Sequence, residues 1–408
     1  MNKKLMAVAV AGALAGAAAA PESAVAQITV QGRFVAEYGF ADQMDTSSVS
    51  AVASQPASIT TSSATGSLGN AAVAAVPSTS RENADGFNSP ASWIRFAAEE
   101  KLGGGNTLWA QCENRARWGV DISPTQGPGG FCDRNSAIGI KGSFGNFFVG
   151  RWDTAMEDSS GLTRIVGSTG WDGRQHLLTE GQDTTIISFA QRFQNSINYN
   201  SPNFSGFQVN LSTTTTNAAL NTAAGTAANT GQDGRIYSIL AKYASGPLVG
   251  YVGYEKHDDN QAVAAAGREG ASENMATFGV SYVFGPVRLG IVYTDFDGDG
   301  TVAGTDITRK AWQVAADWKV TPAGSVRFAY TEADDYEGTD ARAAGPDQGA
   351  KQYSLGYYHA LSKRTILGAY YTKVDNDSNG RYNFASFNTL VNPGDSAGTF
   401  ALHVAHNF

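Results

Sequence analysis

The chain has 408 residues, a formal net charge of −8 and only 16% charged residues, against about 25% in a typical soluble domain. Its polarity therefore comes from Ser, Thr, Asn, Gln and Gly. The acidic balance excludes a nucleic-acid binder, which needs a basic face, and two cysteines exclude a disulfide scaffold and a zinc-ligand cluster. No internal stretch approaches the roughly 18 apolar residues of a spanning helix, so a membrane form of this chain must be a barrel.

The N-terminus reads as an address. Lys3 and Lys4 form a short basic region, 5–20 is an apolar run, and Ala24, Val25 and Ala26 supply a small-x-small cleavage pattern. Residues 1–26 are expected to be a cleaved signal peptide, with the mature chain starting at Gln27. Removing Lys3, Lys4 and Glu22 takes the net charge from −8 to −9.

From Gln27 onward apolar and polar residues alternate. Ile28, Val30, Phe34, Ala36, Tyr38 and Phe40 fall on one face, and Thr29, Gln31, Arg33 and Glu37 on the other. This is the period of a strand, not of a helix. The pattern returns in Phe278, Val280, Tyr282 and Phe284, in Val287, Leu289, Ile291 and Tyr293, and in Trp312, Val314, Ala316 and Trp318. Runs of about ten residues suit tilted bilayer crossings, whereas soluble sandwiches prefer about five or six. Tyr38, Tyr254, Tyr293, Tyr330 and Tyr371 lie near run ends, as in the aromatic girdles of membrane barrels.

The spacers alternate in length. Short ones occur near 103–106, 145–146, 202–206, 245–247, 285–286, 321–324 and 362–364. Long polar ones lie near 41–91, 121–131, 157–190, 216–234, 259–273, 298–306, 337–349 and 375–398. Short turns on one side and long loops on the other predict an all-β, 16-stranded antiparallel transmembrane barrel. The Ala/Ser/Thr-rich stretch 41–91 is read as an unusually long first external loop. His176, His257, His359, His403 and His406 show no nucleophile or metal spacing, so the chain is not read as an enzyme.

Three segments resemble the general bacterial porins, the trimeric 16-stranded channels of Gram-negative outer membranes. Glu99–Asn106 is similar to the family's second strand and first turn. Asp133–Gly145, running into Phe148–Arg151, is similar to its fourth and fifth strands, and Asn195–Phe207 to its sixth. The final Phe408 fits as well.

The resemblance implies passive diffusion of small hydrophilic solutes and ions through a pore narrowed by an inward-folded third loop, here 154–191. It also implies a homotrimer among outer-membrane lipid and lipopolysaccharide, with Ala97, Ala137 and Gly139 suited to subunit contact. The loop carries Glu157, Asp158, Asp172, Glu180 and Asp183, and also Arg164 and Arg174. By motif, Arg95 and Arg134 match the family's arginine ladder opposite such acids. On strand six the matching position holds Gln194, with Arg192 two residues earlier as its substitute; Arg33 on the polar face of strand one joins the set. A substrate-specific channel in the same barrel is the alternative.

Two local features stand apart. Cys112 and Cys132 flank a hairpin of an exported chain and are either a disulfide or two free thiols out of register. Asp295, Asp297, Asp299, Thr301 and Asp306 have the spacing of a calcium loop with Asp replacing the terminal Glu. Either a sixth external loop binds Ca2+ there or Asp and Gly simply serve as turn formers. No other cofactor is required.

Overall fold

The computed structural model describes residues 27–42, 83–89, 91–116, 130–162, 177–179, 189–215, 234–258, 270–300, 302–382 and 393–408. The expected leader 1–26 and residues 43–82 of the first loop lie outside the described residues. Strand β1 (Gln27–Asp42) pairs through its second half with β2 (Asn83–Asn88) and through its first half with β3 (Trp93–Gly103). The wall continues through β4 (Asn106–Arg115), β5 (Ser136–Gly142), β6 (Gly145–Asp153), β7 (Arg192–Asn200), β8 (Phe207–Thr214) and β9 (Arg235–Ser245). It goes on through β10 (Leu248–Asp258), β11 (Glu273–Phe284), β12 (Val287–Asp299), β13 (Asp306–Lys319) and β14 (Gly324–Ala333). The last members are β15 (Glu337–Gly338), β16 (Ala350–Ala360), β17 (Thr365–Asn376) and β18 (Ala397–Asn407). Because β2 and β3 share one partner, and β15 prolongs β14 along β13, the eighteen segments make sixteen wall strands. Strand pairing resumes at Asn83, so the first loop is shorter than the expected 41–91.

The sheet closes where β18 pairs with β1, from Arg33 opposite Asn407 to Asp42 opposite Gly398. Gly32 and Phe408 exchange backbone hydrogen bonds of 3.1 and 3.0 Å. Glycine leaves room there for the terminal side chain: a Cβ on residue 32 would lie 2.2 Å from the Phe408 ring as it now sits. That ring also stacks on Phe34 at 5.6 Å. Closure leaves no unpaired sheet edge among the described strands, the condition for placing strands in lipid.

Sidedness follows the alternation. Phe278, Tyr282 and Phe284 are exposed on the outside of β11, while Thr277 and Ser281 are buried inside. Likewise Ile28, Val30, Phe34 and Phe40 face out from β1, and Val35 and Glu37 face in. An apolar exterior around a polar interior is the inverse of a soluble fold and the signature of a membrane barrel. At two of the short turns, Gly246 and Gly285 adopt φ of 55° and 54°, a conformation tight hairpins demand and side chains resist.

One expectation is corrected by the register. Arg95 lies opposite Gln31, which alternation places on the inner face. Ala97 shares that face two residues on and faces Gln111; Gln111 in turn faces Ala137, and Trp109 faces Gly139. Ala97, Ala137 and Gly139 therefore point inward and are not available for subunit contact. The outward positions are Phe96 and Ile138, both exposed.

Candidate pore constriction

A charged cluster forms on the inner wall between β3 and β7. Arg95 stands directly across from Glu113 and donates Nε and Nη2 to Glu113 Oε2 at 2.9 and 2.5 Å. Arg134 Nε donates to the other oxygen, Oε1, at 2.6 Å. Glu113 is 2% exposed, so one buried carboxylate is held between two guanidiniums, which compensates its desolvation. The Arg95 guanidinium also lies 4.6 Å over the Trp93 ring. Cys112 and Cys132 are joined by a disulfide with Cα atoms 4.8 Å apart. Their neighbours Glu113 and Asp133 are thereby brought together after the excursion of the chain.

The cluster extends along the wall. Arg115 lies 3.6 Å from Asp133, and Arg151 Nε donates to the Asp133 carbonyl at 2.8 Å. Arg192 Nη2 pairs with Asp153 at 2.9 Å, its Nε donates to Asn135, and Asn135 donates to Asp153 at 2.7 Å. Arg151 interacts electrostatically with Arg134, Arg192, Asp133 and Asp153. Five arginines thus meet three carboxylates, a local excess of two positive charges among the described residues.

The described parts of segment 154–191 meet inward-facing side chains. Its ends are tied by the Thr154 amide donating to the Gln191 carbonyl at 2.8 Å. In the 3-10 turn Ala155–Leu162, the amides of Ala155 and Met156 donate to Ser212 Oγ at 2.8 Å and Ser238 Oγ at 3.0 Å. Further on, the Leu178 carbonyl accepts from Thr294 Oγ1 at 3.2 Å and Arg309 Nη2 at 3.3 Å. The Ala190 amide donates to Glu255 at 3.1 Å, and the Phe189 ring stacks on His257 at 4.3 Å. Asp158 accepts from Asn210. Withdrawal of water by the surrounding wall raises the Asp158 carboxyl above the usual carboxylate range, with Lys242 acting in the opposite sense.

Of the residues singled out from sequence, Arg95, Arg134 and Arg192 meet in this cluster. Arg33 lies on the inner face of β1, across from Trp93 and Asn407. Glu157 opens the 3-10 turn beside Asp158. Asp172, Glu180 and Asp183, with Arg164 and Arg174, lie outside the described residues. Sequence reasoning missed Glu113, Arg115 and Arg151. Strict alternation sends Arg151 outward with Val149, which is exposed. The register shift beside it adds its extra residue to β7, between Phe193 and Ser196, and leaves β6 in step with β5 through Arg151; Arg151 reaches the cluster by its bond to the Asp133 carbonyl. Only the run Phe148–Arg151, already similar to a family strand, carried a signal for it.

The acidic motif is part of the wall. β12 continues through Asp299, so Asp295, Asp297 and Asp299 follow one another along a strand at about 7 Å intervals instead of wrapping a centre. Asp297 accepts from Asn274 at 3.2 Å, Asp299 from the Ser272 amide at 2.8 Å, and Asp306 from the Thr339 amide at 3.2 Å. Thr301 lies outside the described residues. Among the described residues no group of three or more His, Cys, Asp or Glu converges as a metal site.

Comparison with known proteins matches residues 7–379 to the family described as Gram-negative porin. Outer membrane porin protein 32 of Delftia acidovorans is 28% identical over 245 residues, 57% of this chain and 61% of that protein. The chain thus spans about three-fifths of that relative's length in the match. Among solved structures, an anion-selective porin from Comamonas acidovorans superposes with a TM-score of 0.68 at 20% identity. That match covers 94% of this chain and all of the other. OmpT of Vibrio cholerae gives a TM-score of 0.60 at 14% identity, covering 95% and 99%.

Proposed function

This chain belongs to the Gram-negative porin family, and from that premise we propose that it is an outer-membrane diffusion channel whose constriction favours small anions. The observation that carries this reading is the charge count of the cluster between β3 and β7: Arg95, Arg115, Arg134, Arg151 and Arg192 against Glu113, Asp133 and Asp153. Fixed charges in a narrow, low-dielectric passage focus the field and raise the local concentration of counter-ions. Because Glu113 is buried between Arg95 and Arg134, its charge is spent on positioning them. The uncompensated charge belongs to arginines whose guanidiniums are partly exposed on the wall.

In this reading segment 154–191 is the inward-folded loop that narrows the pore. It is supported by the bonds of its amides and carbonyls to Ser212, Ser238, Glu255, Thr294 and Arg309. The barrel works as a homotrimer in a bilayer of lipid and lipopolysaccharide, exported by its cleaved leader. Planar-bilayer reversal potentials test the selectivity: chloride is expected to permeate better than potassium, and the reverse order would refute the proposal. Sedimentation of protein extracted in mild detergent tests the trimer, and a monomer would refute it.

A further inference from the structure

Part of the arginine cluster stands on backbone that no strand ladder holds. Pairing between β4 and β5 runs from Thr107 opposite Lys141 to Gln111 opposite Ala137 and ends there. β4 continues to Arg115, whereas Asp133, Arg134 and Asn135 precede Ser136, the first residue of β5. All three join the cluster: Asp133 pairs with Arg115, Arg134 with Glu113, and Asn135 bonds Arg192 and Asp153. We propose that the Cys112–Cys132 bridge is the positioning element of this return, and that Arg134 contributes to selectivity only while the bridge is closed. The inference rests on the anion-favouring reading of the cluster and deepens it by naming what holds one of its arginines in place.

The two faces of the wall divide the task. Cys112 lies across from Phe96, which is exposed on the outer face, and its neighbour Glu113 lies across from Arg95 on the inner one. The bridge therefore grips the return from outside while the charges reach the inner face. Single bonds accompany it in place of a ladder. The Arg134 amide donates to the Glu113 carbonyl at 3.0 Å, the Glu113 amide to Ser136 Oγ at 2.9 Å and the Arg115 amide to Asp133 Oδ1 at 2.9 Å. The Cys132 amide donates to Asn114 Oδ1 at 2.7 Å, and Gln111 Nε2 to the Asn135 carbonyl at 2.7 Å.

Cys132 itself holds φ at 65°, a region that residues with a Cβ disfavour and that persists only where the surroundings over-determine it. Closing a loop of 20 residues favours the closed arrangement by about two orders of magnitude in the chain-entropy model. One hydrogen bond contributes roughly two- to twelve-fold. The bridge is thus the largest single restraint on the return.

Asp133 and Arg134 carry opposite charges, so freeing both leaves the net charge unchanged. The bridge shows itself instead in how much Arg134 counts, which a double-mutant cycle measures. Zero-current potentials in a KCl gradient at about 0.1 M are recorded for the full-length native channel, for Arg134→Ser, for Cys112→Ser with Cys132→Ser, and for all three together. In the bridged channel Arg134→Ser is expected to lower the chloride-to-potassium permeability ratio about four-fold, the effect of one unit charge about 6 Å from the ion path. Without the bridge the same substitution is expected to lower it by less than about two-fold. Equal shifts in both backgrounds overturn the positioning. No shift in the bridged channel refutes the charge-based reading and the positioning with it.

Hydrogen–deuterium exchange of the protein in detergent micelles tests the bridge without any assumption about charge. The amides of Glu113, Arg115 and Arg134 are expected to exchange about ten-fold or more faster in the paired Cys→Ser variant, and those of Ile138 and Ile140 at the native rate. Unaltered exchange at the first three overturns the positioning. Should that variant fail to form heat-modifiable barrels, native channels treated with a phosphine reductant serve as the unbridged background in both measurements, and the same results decide.

Discussion

Replacing Glu113 by Gln removes one negative charge from the cluster while keeping a side chain of the same shape between Arg95 and Arg134. The local excess rises from two positive charges to three. For an ion passing about 6 Å away through water, one unit charge is worth about 0.7 kcal/mol. Screening at about 0.1 M salt reduces this to roughly 0.4 kcal/mol. Anions are then favoured about two-fold and cations disfavoured about two-fold, so the chloride-to-potassium permeability ratio should rise about four-fold. At about 1 M salt the Debye length falls to about 3 Å and the change should nearly vanish. Zero-current potentials of native and Glu113→Gln channels at both salt levels provide the assay. A ratio unchanged at low salt, or a change of equal size at high salt, would refute the electrostatic reasoning.

Three further outcomes are expected. Arg192→Ser should shift permeability toward cations by a comparable factor at low salt, because it removes one positive charge and leaves Asp153 to Asn135; an unaltered reversal potential counts against the ladder. The Cys112–Cys132 bridge closes a loop of 20 residues, worth about 3 kcal/mol in the chain-entropy model. Denatured, unreduced protein should therefore take up no maleimide and reduced protein two, and two labels without reduction would exclude the bridge. Asp158, held above the usual carboxylate range by its enclosure, should lose its charge earlier than an ordinary carboxylate as pH falls. Chloride preference should then grow on mild acidification in the native channel but less so in Asp158→Asn, and identical pH profiles would reject that role.

The barrel was legible because its rule is local. Each inward or outward position is set by parity along a strand, and the alternation from Ile28 to Phe40 or through Phe278, Tyr282 and Phe284 stated it directly. The charged cluster was legible only in part, since its members come from β3, β4, β6, β7 and the return before β5. Arg95 and Arg134 could be matched by motif, but Glu113 acquires its importance only from the register that sets it across from Arg95. Parity itself fails where a bulge intervenes: between the Gly150–Ser196 and Trp152–Phe193 pairs β7 spends one residue more than β6, with Asn195 at φ 55° inside that stretch.

Elsewhere small residues misled. Ala97, Ala137 and Gly139 had the size for subunit contact, yet parity with Arg95 turns them inward, and Gly139 makes room for an indole instead. The Asp295–Asp306 spacing looked like a loop because Asp and Gly are frequent in turns, but cross-strand pairing with β13 draws Asp295–Asp299 into β12.

The proposed anion preference rests on an uncompensated positive charge in the arginine cluster between β3 and β7. A zero-current potential across a single KCl gradient, recorded on the native protein at neutral pH, measures it most directly. The dilute side is expected to become negative, as chloride outruns potassium down the gradient. A dilute side that becomes positive, or shows no potential, would contradict it.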